Sequence, residues 1–421
     1  MRIVVHGGQP LNGTFRPSGN SNSAIALTAA ALLTNEPVTL YGMPDTLSTA
    51  ATLESAQALG VEVKRDGAVC HLQAGGLQTR FLAEEVTDGQ VSAILFLAPI
   101  LARRGHARIE LPPPLSRYHT HLAALRDLGV DVQASGTVLD LHAERWESRE
   151  ITLLQASVTT TALVCMLAAV LGQDTTIRNA ASEPHVQDLQ HMLVAMGAQI
   201  GGIGSNLLHI RGSETLGGAE MTLSPDHIEV ATVASIGAIT HGSLQIEGVK
   251  PEHLRLIVRV LARLGMNLYL NGSTLLLPAQ DGLMVSQADE DLDVPIETAP
   301  WPGFPSDLVA MTTVVASQAR GMTLIHEKLF SNRLLFVDKL TAMGAQIVLC
   351  DPHRALVVGP SKLRGGYMDT PDVRTGLALL GAALCAQGTV TIDRAELIDR
   401  TFENVVSKLV ALGAQIEVAQ P

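Results

Sequence analysis

The chain has 421 residues, 47% of them apolar, with 3% aromatic and 17% charged residues and a formal net charge of −12. That length suits two or three domains with large cores, and the scarcity of aromatics means cores of Ala, Leu, Val and Ile in closely packed helices. The acidic balance excludes a broad nucleic-acid surface, which needs clustered Lys and Arg against phosphate, yet leaves room for a small anionic ligand held by a few arginines.

From the N-terminus, residues 2–5 read as a strand rather than a leader. An apolar helix at 24–33, a strand at 38–40, an amphipathic helix at 46–59 and a hairpin through 61–72 follow. Further apolar helices are expected at 91–102, 161–171, 228–239, 308–318 and 375–386, each followed by a strand, at 107–109, 175–177, 243–246, 322–325 and 389–392. Apolar residues cover most of their circumference, the mark of a buried helix. Stretch 159–171 is too short and too rich in Thr and Ala to span a membrane. Cys70, Cys165, Cys350 and Cys385 are scattered without metal-ligand spacing, which fits a reduced, cytoplasmic setting.

One phrase recurs: a helix ends in Leu-Gly or Met-Gly and a β-type run begins. The glycines are Gly60, Gly129, Gly197, Gly265, Gly344 and Gly413, at spacings of 69, 68, 68, 79 and 69 residues. A period that long describes six copies of one folded unit, longer than the ~20–50 residues of ordinary solenoids. The expected unit is βαβαββ, packed as two groups of three with buried helices inside and sheets outside.

Several segments carry a family resemblance: Pro17-Ser18-Gly19-Asn20-Ser21-Asn22-Ser23-Ala24, Thr298-Ala299-Pro300-Trp301-Pro302-Gly303-Phe304-Pro305-Ser306-Asp307, Phe330-Ser331-Asn332-Arg333, Asp372-Val373-Arg374 and Ile398-Asp399-Arg400. With the six repeats, the chain resembles the enolpyruvyl transferases that act on UDP-N-acetylglucosamine. The resemblance implies an α/β fold, a two-domain inside-out barrel, with one domain at 22–229 and the other at 1–21 plus 230–421, and a ligand cleft between them. It implies phosphoenolpyruvate and a nucleotide or nucleotide-sugar as small-molecule substrates, no cofactor or metal, no nucleic acid or membrane partner, and a monomer or weak homo-oligomer.

By the same resemblance Arg374 and Arg400 face phosphoenolpyruvate, where a planar guanidinium pairs bidentately with carboxylate or phosphate. Asp307 matches the carboxylate beside the acceptor hydroxyl, as base or orienter; capping the helix near Leu308 is an alternative role. Asn22 matches a sugar-contacting asparagine. Ser157 and Val158 match a diphosphate-holding helix start, where free N–H groups attract anions, and Thr159 extends its hydroxyl-rich run, although Ser157 can equally be only an N-cap. Asn332 and Arg333 match a cleft-facing pair, and Arg333 can instead tie down its own helix. Asp372 completes the substrate-facing set, or is simply the ion partner of Arg374, as Asp399 is for Arg400.

The departures fall on the family's cations and its reactive thiol. Ser21 stands where the family has a lysine, Val91 (beside Gln90) where it has an arginine, and Gln155 where it has a second lysine. The family's cysteine loop is replaced by the shorter, proline-rich segment 111–119, in which Arg117 stands in for the loop arginine and Tyr118 and His119, with His121 and His227 elsewhere, are the groups available for proton transfer. Two other readings follow from these losses: a binding protein without turnover, or altered chemistry in the same cleft.

Overall fold

The computed structural model describes residues 1–77, 79, 81–83, 91–143, 148–170, 173–286 and 295–419; Gln90 and the expected helix end at Leu171 lie outside them. The described helices are α1 Ser21–Ala31, α2 Leu47–Ala58, α3 Leu97–Arg104, α4 His119–Asp127, α5 Val158–Val170, α6 Pro184–Ala195, α7 His227–Ile239, α8 Pro251–Ala262, α9 Val309–Gln318, α10 Val337–Ala342, α11 Val373–Cys385 and α12 Val405–Ala411.

Every even-numbered helix stops at a repeated glycine, and the reason is local. Each of the six glycines has a positive φ, from +86° to +116°. In α2 the Gly60 N–H donates to the Gln57 carbonyl and the Val61 N–H to the Ala56 carbonyl, and the other five ends repeat this pair of bonds. This is the Schellman arrangement, which satisfies carbonyls the helix leaves open and needs a residue tolerant of the left-handed region. The residue after each glycine (Val61, Val130, Ala198, Met266, Ala345, Ala414) is at most 5% exposed, so the cap also anchors the next strand in the core.

The odd-numbered helices are the buried ones. All residues of α7 are buried, as is α5 from Thr160 to Ala169. Helices α7, α9 and α11 pack on one another, and so do α3 and α5. Close approach is visible at Gly237, where a Cβ would sit 2.4 Å from Leu244 Cδ1. The helix expected at 91–102 is in fact a 3-10 segment, Val91–Phe96, followed by α3. Pro99 has no N–H to donate to Leu95, and its ring crowds that carbonyl, so α-helix does not extend back through the apolar run.

The chain divides into two compact units: residues 1–18 with 225–421, and residues 19–224. Among the described residues each has its own continuous apolar core and three sheets. In the 19–224 unit the sheets run Ala219–Thr222, Val38–Tyr41, Val69–Gln73, Glu62–Asp66; Phe81–Leu82, His106–Glu110, Val138–His142, Asp131–Ser135; and Arg149–Thr152, Asp174–Arg178, Leu207–Arg211, Gln199–Gly201. Each sheet has one parallel edge pair and two antiparallel pairs.

The other unit repeats this pattern, except that Leu283–Met284 and Ile296–Glu297 both pair in parallel with Ala319–His326, and two further variations reflect how the chain passes between units. Strand Asn12–Phe15 leads into α1 but pairs with Ser243–Glu247, whereas Ala219–Thr222 leads into α7 but pairs with Val38–Tyr41. Strand Arg2–His6 lies between Gln387–Asp393 and Gln415–Ala419, so the first strand of the chain completes the last repeat. No described helix is long and apolar enough to cross a membrane.

Candidate active site

In the unit formed by 1–18 and 225–421, Asp307 sits in the 3-10 turn Ser306–Leu308 that opens α9. The cap position of that turn is Pro305, so Asp307 lies inside the first turn, where a carboxylate also suits the helix dipole. Its Oδ1 accepts from Arg333 Nη1 at 2.9 Å and pairs with Arg374 Nε. Arg333 also donates to the Ser306 carbonyl at 3.4 Å and lies over the Phe330 ring at 4.6 Å. Arg374 is at the start of α11, and its partner is Asp307 rather than Asp372. Asp372 caps α11 instead: Oδ1 accepts the N–H groups of Arg374 and Thr375 at 3.0 Å, and Oδ2 accepts the Thr375 hydroxyl at 2.6 Å.

Asn332 is exposed beside Arg333. Arg400 ends the 3-10 segment Ala395–Arg400, which packs against α11, the helix carrying Arg374. Burial, and then the neighbouring Glu396, raises the Asp399 carboxyl above its ordinary range.

The geometry of this cluster depends on Glu327, which carries no sequence signal. Glu327 is fully buried, and its carboxylate accepts from the Thr298 hydroxyl at 3.0 Å, the Ser306 hydroxyl at 2.5 Å and the N–H groups of Leu329 and Phe330 at 2.7 and 3.1 Å. It thereby ties the Ser306–Asp307 turn to the turn that delivers Arg333. Asp226 caps α7 through the N–H groups of Ile228 and Glu229, at 2.8 and 3.2 Å. Burial raises its carboxyl to about 7, with Glu229 and Asp307 adding repulsion. Glu229 is buried too, and burial raises it; Lys408 opposes this, with Nζ 2.9 Å from Glu229 Oε1 and bonded also to the Ser18 hydroxyl. A lysine therefore does reach the Pro17-Ser18-Gly19 segment, but from the far end of the sequence and with its charge already matched by Glu229.

In the 19–224 unit, Asn20 caps α1 by accepting from the N–H groups of Asn22 and Ser23. Ser21 is 2% exposed, with its hydroxyl 3.5 Å from that of Thr46, a small packed hydroxyl at the start of α1. Ser157 does act as a cap: Oγ accepts the Thr160 N–H at 3.3 Å and the Thr160 hydroxyl at 2.9 Å. The first N–H groups of α5, at Val158 and Thr159, have no intrahelical acceptor. Asn22, Val158 and Thr159 meet in one pocket lined also by Ile25, Ala26, Ser92, Leu95, Ala162, His185 and Val186.

His121 of α4 holds the Thr159 hydroxyl, with Nε2 2.7 Å from Oγ1. Burial lowers its pKa to about 4, so it is a neutral positioning group at neutral pH. Tyr118 is fully buried, whereas Arg117, just before α4, and His119, its first residue, are exposed. Val91 is half-buried and Gln155 exposed.

An inside-out α/β arrangement of six repeats is the fold of the enolpyruvyl transferase class, and comparison shows that family. The chain matches the EPSP synthase (3-phosphoshikimate 1-carboxyvinyltransferase) family over residues 5–409, and it belongs to that family. The UDP-N-acetylglucosamine 1-carboxyvinyltransferase of Bradyrhizobium diazoefficiens is 42% identical over 425 residues, covering 99% of this chain and 98% of the relative. That of Treponema denticola is 40% identical, covering 99% of each chain. Among solved structures, the enolpyruvyl transferase NikO from Streptomyces tendae superposes with a TM-score of 0.89 at 25% identity, covering 100% of this chain and 99% of that one. EPSP synthase from Acinetobacter baumannii has a TM-score of 0.77 at 16% identity, covering all of both chains, a likeness of fold alone. The protein is thus a carboxyvinyl transferase by class.

Proposed function

We propose that the protein moves the enolpyruvyl group of phosphoenolpyruvate to a hydroxyl of a nucleotide or UDP-sugar, with UDP-N-acetylglucosamine the first acceptor to test, and releases inorganic phosphate. The observation that carries this reading is Asp307 paired with two guanidiniums, Arg333 and Arg374. A phosphate or carboxylate arriving at Arg374 competes with Asp307 for that guanidinium and so frees the carboxylate to take the acceptor proton. The acceptor oxygen then bonds to C2 of phosphoenolpyruvate while C3 gains a proton. Loss of a proton from C3 and cleavage of the C2–O bond that carries the phosphoryl group expel phosphate and leave the enol ether. In this scheme Arg374, Arg400 and Arg117 hold phosphoenolpyruvate, Asn22 and Asn332 the sugar, and Ser157, Val158 and Thr159 the diphosphate. Asp372 positions Arg374 through its cap, and Ser21 stands where the family's lysine would hold phosphoenolpyruvate. We further propose a cytoplasmic monomer or weak homo-oligomer.

Phosphate release from phosphoenolpyruvate, measured with UDP-N-acetylglucosamine and then other nucleotides and nucleotide-sugars, tests the reading. Acceptor-dependent release that Asp307→Ala abolishes supports it. A second reading rests on Ser21, Val91 and Gln155, none of them cationic: the protein binds a nucleotide-sugar without transfer. Folded protein that binds an acceptor and releases no phosphate with any of them favours that alternative.

A further inference from the structure

On the solvent face of the sheet containing His106–Glu110 and Val138–His142, two imidazoles converge on one carboxylate. His106 and His142 are direct cross-strand partners, and Asp140 lies two residues before His142 on the same face of its strand. Along both strands Ala107, Ile109, Leu139 and Leu141 point into the core, so the alternate residues must face outward. His106 Nε2 is 2.8 Å and His142 Nε2 3.1 Å from the same atom, Asp140 Oδ1. The two rings are stacked, with centroids 4.1 Å apart and planes 5° from parallel. One ligand atom from each of the three residues falls within 4.8 Å of the others. Arg108, directly opposite Asp140, leans the other way over the Phe81 ring at 5.3 Å, and among the described residues it makes no ion pair with Asp140.

We propose that His106, Asp140 and His142 form a surface site for a borderline divalent cation, Zn2+ in the first instance. Two imidazoles and a carboxylate are a donor set that suits Zn2+, Ni2+ or Cu2+ and not Mg2+ or Ca2+, which take all-oxygen shells. Ligand bonds of about 2.0–2.2 Å to a central ion place donors a little farther apart than the present hydrogen bonds do. The partly exposed rings, at 29% and 46% side-chain exposure, can turn out of their stack to aim both lone pairs at the ion. Three protein ligands leave a coordination position open to water. The bound ion would clamp the strand after α3 to the hairpin after α4 and so stabilise the 19–224 unit by mass action.

The test is calorimetric titration of chelator-treated protein with Zn2+, paired with Co2+ titration followed in the visible range and with thermal melts. The expected result is one equivalent bound, a tetrahedral-type Co2+ spectrum and a rise in melting temperature with Zn2+. His106→Ala and His142→Ala should each weaken binding more than about tenfold, since even outer-shell changes weaken metal sites by that order. His142→Gln serves where the alanine variant is less well folded by circular dichroism. No one-to-one binding by the wild-type protein, or binding that survives both histidine substitutions, overturns the site. Mg2+ competing as well as Zn2+ overturns the donor assignment.

Discussion

At Asp307 two cations share one carboxylate, and the two arginines are not equivalent. Arg333 is 19% exposed and also held by Ser306 and Phe330, while Arg374 is 43% exposed with Asp307 as its ion partner. The more exposed and less tethered guanidinium is the one able to exchange Asp307 for an incoming anion. Arg374→Lys keeps the charge but loses the planar fork, and an ammonium cannot hold the carboxylate and a substrate oxygen in one plane. We expect kcat/KM for phosphoenolpyruvate to fall roughly 30-fold, about 2 kcal/mol, the low end of the range for a charge-paired contact. Steady-state kinetics with saturating acceptor measure it, and an unchanged kcat/KM removes Arg374 from the anion site. Glu327 acts through others. Glu327→Ala strands two N–H groups and two hydroxyls in a buried place, which should destabilise the fold by about 3 kcal/mol and lower kcat by misplacing Asp307 and Arg333 together. Glu327→Gln retains an acceptor oxygen and should recover part of both losses in urea melts and turnover. Equal losses in the two variants would mean that charge, not position, is what Glu327 supplies.

At the scale of the element, the repeated glycine is a measurable device. Gly197 has φ +116° with nothing within 4 Å of an added Cβ, whereas a Cβ on Gly265, at φ +86°, would lie 2.5 Å from the Met284 nitrogen and 2.6 Å from its oxygen. Gly197→Ala therefore isolates the backbone strain, about 1 kcal/mol, and Gly265→Ala adds a clash with backbone that has no flexible end to yield. Chemical denaturation should rank the second variant clearly below the first; the reverse order would mean the strand at Met284 yields freely. These helix ends were legible in the sequence because a Schellman cap demands a particular residue at a particular place. What periodicity could not show was Val91–Phe96, where Pro99 converts an apolar run into a 3-10 segment. Nor could it show the strand exchange at Asn12–Phe15 and Ala219–Thr222, which is decided by pairing partners some 180 or more residues away. The motifs nominated Asp307, Arg333 and Arg374, which share one ion cluster. Glu327 and Lys408 were invisible because each acts through long-range contacts to a motif without lying in one, and His121 stood out only as an available proton-transfer group, not for its hold on Thr159.

The whole molecule has two cores, and each holds a buried group whose shifted pKa lies between about 4 and 7, Asp226 in one and His121 in the other, with opposite signs. Asp226 and Glu229 belong to the unit of 1–18 and 225–421, and burial raises both. A raised carboxyl contributes stability that is fully present at low pH and lost as pH rises through its folded value, about 7 for Asp226. His121 belongs to the 19–224 unit, with its pKa lowered to about 4. A lowered histidine contributes in the opposite sense: stability is present above about 6.5 and is lost as pH falls toward its folded value. Going from pH 8 to pH 5 should therefore strengthen the first unit by about 2–3 kcal/mol through Asp226 and weaken the second by about 2 kcal/mol through His121, at 1.36 kcal/mol for each unit of pH. Amide hydrogen exchange read by peptide assigns the two effects, with protection rising in the α7 core and falling in the α5 core on acidification. Asp226→Asn keeps the cap of α7 and should erase the first trend alone, while His121→Gln, which can still bond Thr159, should erase the second alone. Parallel movement of both cores, or trends that persist in these variants, would mean that other titrating groups set the pH dependence and that Asp226 and His121 are not the residues through which each core senses pH.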